Sequence, residues 1–187
     1  MDQTDKYLAD LSEELKKLDR KKINHLKSII QLLIGSKKTL FICGNGGSAA
    51  TASHMTCDLG KTILGKNPRF NQNRLRIICF NDNISLITAW GNDEGYDYIF
   101  SEQLKTLGTK GDCLIVITGS GNSKNIIEVV KEAKKIGVTT FGLLGFAGGK
   151  VKKLLDEHIL VKCDDYGIIE DVHSILNHLI TDYFKKI

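Results

Sequence analysis

The stretch Thr39-Leu40-Phe41-Ile42-Cys43-Gly44-Asn45-Gly46-Gly47-Ser48 reads as a buried strand running straight into a glycine turn, and residues 48–60 read as the helix that follows. The same grammar returns downstream. Residues 113–117 form a second apolar run, Thr118-Gly119-Ser120-Gly121-Asn122-Ser123 a second turn, and 123–136 a second helix. Leu114-Ile115-Val116-Ile117 is apolar without alternation, as expected when helices cover both faces of a parallel sheet. Strand, glycine turn and helix repeated in this order build a doubly wound α/β domain.

Working outward, further strands are expected at 76–79, 140–144 and 158–161, and further helices at 84–91, 96–106, 149–155 and 169–186. Upstream, Leu8, Leu11, Leu15, Leu18, Ile23, Leu26, Ile29, Ile30 and Leu33 recur at helical spacing. They predict one long N-terminal helix over 3–35, stopped at Gly35. With one proline and no low-complexity linker, residues 1–187 read as a single domain: a helical extension (1–36) on an α/β core (37–187). Packing of the extension on its own sheet and packing on another subunit are both open at this stage.

Composition narrows the class. The five cysteines, Cys43, Cys57, Cys79, Cys113 and Cys163, form no CxxC pair, and an odd count argues for reduced thiols in a reducing compartment. The polar N-terminus holds no signal core, and no apolar run reaches the ~18–20 residues that span a bilayer. A soluble cytoplasmic protein without a membrane partner is expected. The net charge of +4 comes from scattered basic pairs that read as solvated helix faces, not as a nucleic-acid footprint. It suits an anionic small molecule.

Both turns lie where ligands bind in open parallel sheets, at the carboxyl ends of strands. Glycines let backbone approach a ligand, and helix N-termini offer N–H groups to an anion. Hydroxyls of Ser48, Ser120 and Ser123 add donors for phosphate oxygens. No lysine completes a Walker A loop, and glycines at 44, 46 and 47 do not make GxGxxG, so no nucleotide cofactor is expected.

Four collinear blocks, FICGNGGSAATASH, ITAWGNDEGYDYIFSEQLKTLGTKGD, ITGSGNSKNI and IEDVHSILNH, resemble the phosphoheptose isomerases of the sugar isomerase (SIS) family over roughly residues 5 to 185. The resemblance implies a flavodoxin-like five-stranded sheet, a homotetramer with sites between subunits, and conversion of sedoheptulose 7-phosphate into a heptose 7-phosphate for lipopolysaccharide or capsule precursors. Carried over by position, Ser120 and Ser123 fall in the phosphate cradle, with Thr118 where serine is usual. Asn45, Gly46, Gly47 and Ser48 match the first, sugar-contacting loop. His54 matches the histidine on the next helix, Asp58 the catalytic glutamate and His178 the second catalytic residue. Glu170 takes the place of a glutamine that, in several members, joins two histidines and the glutamate around zinc.

His54 and Asp58 are four apart on a predicted helix and share a face. Glu170, Ser174, Asn177 and His178 share another. Isomerisation through an enediol needs a base on carbon and an acid near the oxygens, and Asp58 and His178 are the expected pair. His54, Asp58, Glu170 and His178 together suit a divalent metal such as Zn²⁺. His173 reads equally as structural, and His25 and His158 read as structural.

Five departures stand out from the family pattern. Asp58 is one methylene shorter than glutamate, about 1.5 Å by bond geometry, where an error near 1 Å can cost about a hundredfold. Glu170 carries charge in place of an amide. A usual carboxylate appears as Asn83, with Asp82 beside it. Tyr166-Gly167-Ile168 replaces a Thr–x–Arg and removes a cation. Gly119 replaces a threonine. The competing reading is a non-catalytic member of the same fold, a sugar-phosphate sensor or a scaffold such as a replication-initiator-binding relative.

Overall fold

The computed structural model describes residues 2–66, 68–69 and 73–186. Five strands, β1 (Thr39–Gly44), β2 (Arg76–Cys79), β3 (Cys113–Thr118), β4 (Thr139–Gly145) and β5 (Glu157–Val161), form one parallel sheet in the order β2-β1-β3-β4-β5. This is the flavodoxin-like order, with the chain reversing direction of travel between β1 and β3. The register pairs Gly44 with Ile117, so the turns after β1 and β3 leave the sheet side by side.

The unbroken apolar runs are explained by burial on both faces. Ile115 and Ile117 join a core layer with Leu26, Ile30, Met55, Val172 and Leu176, whereas Leu114 and Val116 join the opposite layer with Phe80, Phe100, Val129 and Val130. Successive strand residues point to opposite faces, and each such side chain contributes about 1.5–3 kcal/mol when fully buried. The first layer is built by α2 (Arg20–Leu33), α3 (Gly47–Gly60) and α7 (Tyr166–Lys185). The second is built by α5 (Ser101–Leu107) and α6 (Lys124–Ile136), while α4 (Ile84–Asp93) lies at the outside with no buried residue.

The N-terminal extension differs from the single helix expected over 3–35. α1 (Gln3–Lys17) ends before Leu18, whose ψ of 131° leaves the helix, and α2 starts anew with Asp19 as its cap. The Asp19 carboxylate accepts from the N–H groups of Lys21 and Lys22, a cap worth about 1 kcal/mol. α2 lies on the chain's own sheet. α1 lies on α7, where the Tyr7 hydroxyl donates to Asp171 at 2.9 Å. Leu8 and Leu32 remain exposed.

Three other boundaries move. The helix expected over 149–155 is only a 3₁₀ turn, Val151–Lys153, because Gly148 and Gly149 both take positive φ just before it. The 96–106 segment divides into a 3₁₀ turn, Tyr96–Tyr98, and α5. α7 begins at Tyr166 rather than 169, where Asp165 caps it through the Ile168 N–H. All five cysteines are free, and burial pushes the Cys113 thiol up to about 12. Among the described residues no helix is long and apolar enough to cross a membrane.

Candidate active site

α3 leaves β1 through a turn that only glycine allows. A Cβ on Gly44 would lie 2.6 Å from the Ser48 carbonyl and 2.9 Å from that of Ile117. Asn81, just beyond β2, grips Gly44 at both ends: its amide donates to the Gly44 carbonyl at 2.9 Å and accepts from the Gly44 N–H at 3.1 Å. The N-cap residue of α3, Gly46, has no side chain to close the helix, so its first N–H groups face the turn. Ser48 lies in this first helical turn and is nearly buried.

About two and three turns further along α3 come His54 and Asp58. α7 runs across α3 and brings His178 to the same place. His54 Nε2 lies 3.4 Å and His178 Nε2 4.0 Å from Asp58 Oδ2, and the two imidazoles meet edge to face with centroids 5.0 Å apart. Both imidazoles are more than half exposed, whereas Asp58 is buried. Its carboxylate is held from behind. Asn177, wholly buried, donates to Oδ2 at 2.9 Å, and Thr62 donates to Oδ1 at 3.1 Å. Thr181 Oγ1 in turn donates to Asn177 Oδ1 at 3.5 Å.

His54, Asp58 and His178 form a group whose ligand atoms all lie within 4.8 Å of one another. Two imidazoles and a carboxylate are a donor set that Zn²⁺ takes in sites with three protein ligands and an open fourth position. The exposure of both imidazoles leaves such a position facing solvent. Residues of this chain therefore fit a divalent metal. Glu170 is not part of that group. Its carboxylate lies over the N-terminus of α3, where a Cβ on Gly47 would come within 2.5 Å of it.

The second turn is organised differently. Thr118 Oγ1 accepts from the Gly121 N–H at 3.2 Å, and Ser120 Oγ accepts from the Asn122 N–H at 3.3 Å. Ser123 is the N-cap residue of α6, yet its hydroxyl makes no capping bond and is left for another acceptor. Asn83 caps α4, its side-chain oxygen accepting from Leu86 at 3.1 Å. Asp82 takes a hydrogen bond from Ser53 on α3.

Two of the departures prove to be one. The Tyr166 ring lies against Gly119, where a Cβ would sit 2.9 Å from it, and meets Phe146 edge to face at 4.7 Å. A threonine at 119 and a tyrosine at 166 cannot coexist in this arrangement. Ile168, at the position of the missing cation, is buried in the core. His173 is structural: it is fully buried, its Nε2 lies 3.3 Å from the Leu144 carbonyl, and burial lowers its pKa to about 4. A carbonyl only accepts, so Nε2 carries the proton and Nδ1, which has no partner, is the bare lone pair. Sequence reasoning missed Thr62, Asn81 and Asn125, and placed Asn177 only on a helix face. Their roles rest on partners far away along the chain, and periodicity is blind to those.

Turn, helix N-terminus and an imidazole–carboxylate cluster on this sheet define an SIS-type α/β domain, and the family profile described as SIS domain matches residues 5–145. A phosphoheptose isomerase of Sulfurimonas denitrificans is 39% identical over 168 residues, covering 88% of this chain and 83% of that one. A probable phosphoheptose isomerase of Thermoplasma acidophilum is 38% identical over 176 residues, covering 94% and 93%. The phosphoheptose isomerase structure from Francisella tularensis superposes with a TM-score of 0.85 over 100% of both chains at 27% identity. That of GmhA from Neisseria gonorrhoeae gives 0.84 over 98% and 99% at 28% identity. The chain belongs to the SIS domain family, among the phosphoheptose isomerases.

Proposed function

We propose that the protein is an aldose–ketose isomerase that converts sedoheptulose 7-phosphate into D-glycero-D-manno-heptose 7-phosphate. The observation that carries this reading is the meeting of His54, Asp58 and His178 beside two glycine turns that open helices. The phosphate binds at Ser120, Ser123 and the N-terminus of α6, with Thr118 shaping the turn. Asn45, Gly46, Gly47 and Ser48 contact the sugar, with Asn83 and Glu170 at its periphery. Asp58 removes a proton from C1 of the ketose, the enediol forms, and the proton returns to C2. His178 moves the accompanying proton between the C1 and C2 oxygens. A divalent ion such as Zn²⁺, held by His54, Asp58 and His178, would supply Lewis-acid polarisation of the carbonyl. The enzyme works in the cytoplasm as a homotetramer with sites between subunits, feeding precursors of lipopolysaccharide or capsule.

The test is to incubate the protein with sedoheptulose 7-phosphate in D₂O, with and without Zn²⁺, and follow aldose formation by NMR. Deuterium at C2 of a heptose 7-phosphate is the expected result. Binding without turnover would favour the sensor or scaffold reading instead.

A further inference from the structure

Asn45, in the first turn, has its side-chain orientation fixed from outside that turn. Its Nδ2 donates to Asn125 Oδ1 and its Oδ1 accepts from Asn125 Nδ2, both at 2.9 Å. Asn125 lies 80 residues away, on the first turn of α6, and is only 2% exposed. Its own Oδ1 also accepts from the Ile126 N–H at 2.9 Å, so its amide cannot turn over without losing that bond. The Tyr96 hydroxyl donates to Asn45 Oδ1 as well, at 3.1 Å.

A side-chain amide offers two lone pairs and two N–H bonds. In Asn45 both lone pairs are spent, on Asn125 and Tyr96, and one N–H is spent on Asn125. A single N–H remains. A flipped Asn45 would set nitrogen against nitrogen and oxygen against oxygen across the pair, so the flip is closed.

We infer that Asn125 is a positioning residue that fixes Asn45 as a one-directional donor, presenting one N–H and no acceptor to an oxygen of the bound sugar phosphate. The same pair ties the sugar-contacting turn to the helix that opens at the phosphate turn, so the two half-sites keep their spacing. The inference deepens the isomerase reading and rests on it for its activity arm.

The experiment is a double-mutant cycle on Asn45→Ala and Asn125→Ala, with Asn125→Asp as a same-shape variant that keeps the acceptor and loses the donor. Turnover of sedoheptulose 7-phosphate is followed by NMR, and its affinity by calorimetry. Each single alanine variant should lower kcat/KM by about tenfold, the size of one lost oriented hydrogen bond. The double variant should be no worse than Asn45→Ala alone, and Asn125→Asp should act like Asn125→Ala. Losses that multiply in the double variant would show that Asn125 acts on the fold and overturn the inference, as would a fully active Asn125→Asp. Wild-type protein that binds the sugar without converting it would sink the isomerase, leaving the pair to be judged by the same non-additivity in affinity. Wild-type protein that neither converts nor binds it would overturn both.

Discussion

The two glycine turns leave neighbouring strands in the same direction and open helices of similar length, yet they are held by different kinds of partner. The turn after β3 is braced by its own residues and by one neighbouring segment. Thr118 and Ser120 accept from N–H groups three and two residues on, and the Asn122 amide donates back to the Ser120 carbonyl. Backbone N–H groups of Gly145, Lys150 and Val151 donate to Gly119, Asn122 and Gly121. The turn after β1 is braced from afar, by Asn81 after β2, Asn125 on α6 and Tyr96 in the 3₁₀ turn. An anion is met well by any ring of N–H and O–H groups, so the turn's own bonds and backbone donors from one adjacent segment suffice to shape such a cradle. A sugar carbon must meet a carboxylate within a fraction of an ångström, and that requires walls contributed by other elements.

The largest expected effect separates the two turns outright. Asp58→Asn should lower kcat by about a thousandfold, the range of a lost general base, while the sugar phosphate still binds. Calorimetry beside the NMR assay checks this, and loss of binding in step with turnover would mean that the halves are not separable. Ser123→Ala should do the converse, raising KM by about tenfold with kcat kept.

A finer division lies inside the turn after β3. Gly119→Thr should displace the Tyr166 ring and weaken substrate binding by about tenfold or more, and adding Tyr166→Thr should restore much of it. Simple additivity of the two in KM would dissolve the link between them.

The smallest effect concerns support beneath that turn. His173 bonds the Leu144 carbonyl, next to Gly145, whose N–H holds the Gly119 carbonyl at 3.0 Å. Folding lowers the His173 pKa from its ordinary 6.5 to about 4. Between those values the unfolded chain binds a proton that the folded chain refuses. Stability from this group is therefore complete above pH 6.5 and declines as pH falls toward 4. Urea midpoints measured across that window should slope downward toward acid, and His173→Leu should flatten the slope. An unchanged slope in the variant would assign the acid sensitivity elsewhere.

How much of this could be read in the residues follows from the range of the forces involved. β3 was legible because burial on both faces leaves an unbroken apolar run, and His54 with Asp58 because a four-residue spacing is itself a geometry. The break at Leu18 was hidden because the apolar stripe continues across it from Leu15 to Ile23, and only the Asp19 cap marks the new start. Glu170 fell on the right helix but a turn or more from the cluster, over Gly47, since sharing a face does not fix height along it. Asn125 gave no signal of its own, and Asn177 only a place on a helix face. Each matters through a partner 80 or 119 residues away, and such a pairing exists only once the sheet has assembled.

That assembly also sets when the protein acquires a site at all. β1 lies between β2 and β3, and the bond from the Thr39 N–H to Asp112 at the foot of β3 spans 73 residues. Closing a loop of that length costs entropy before any strand contact repays it. A chain still emerging from the ribosome with only β1, α3 and β2 exposed carries His54 and Asp58 on a helix with no α7 beneath them. The cluster comes together only once α7 has been made, so a chain ended before α7 carries His54 and Asp58 without His178.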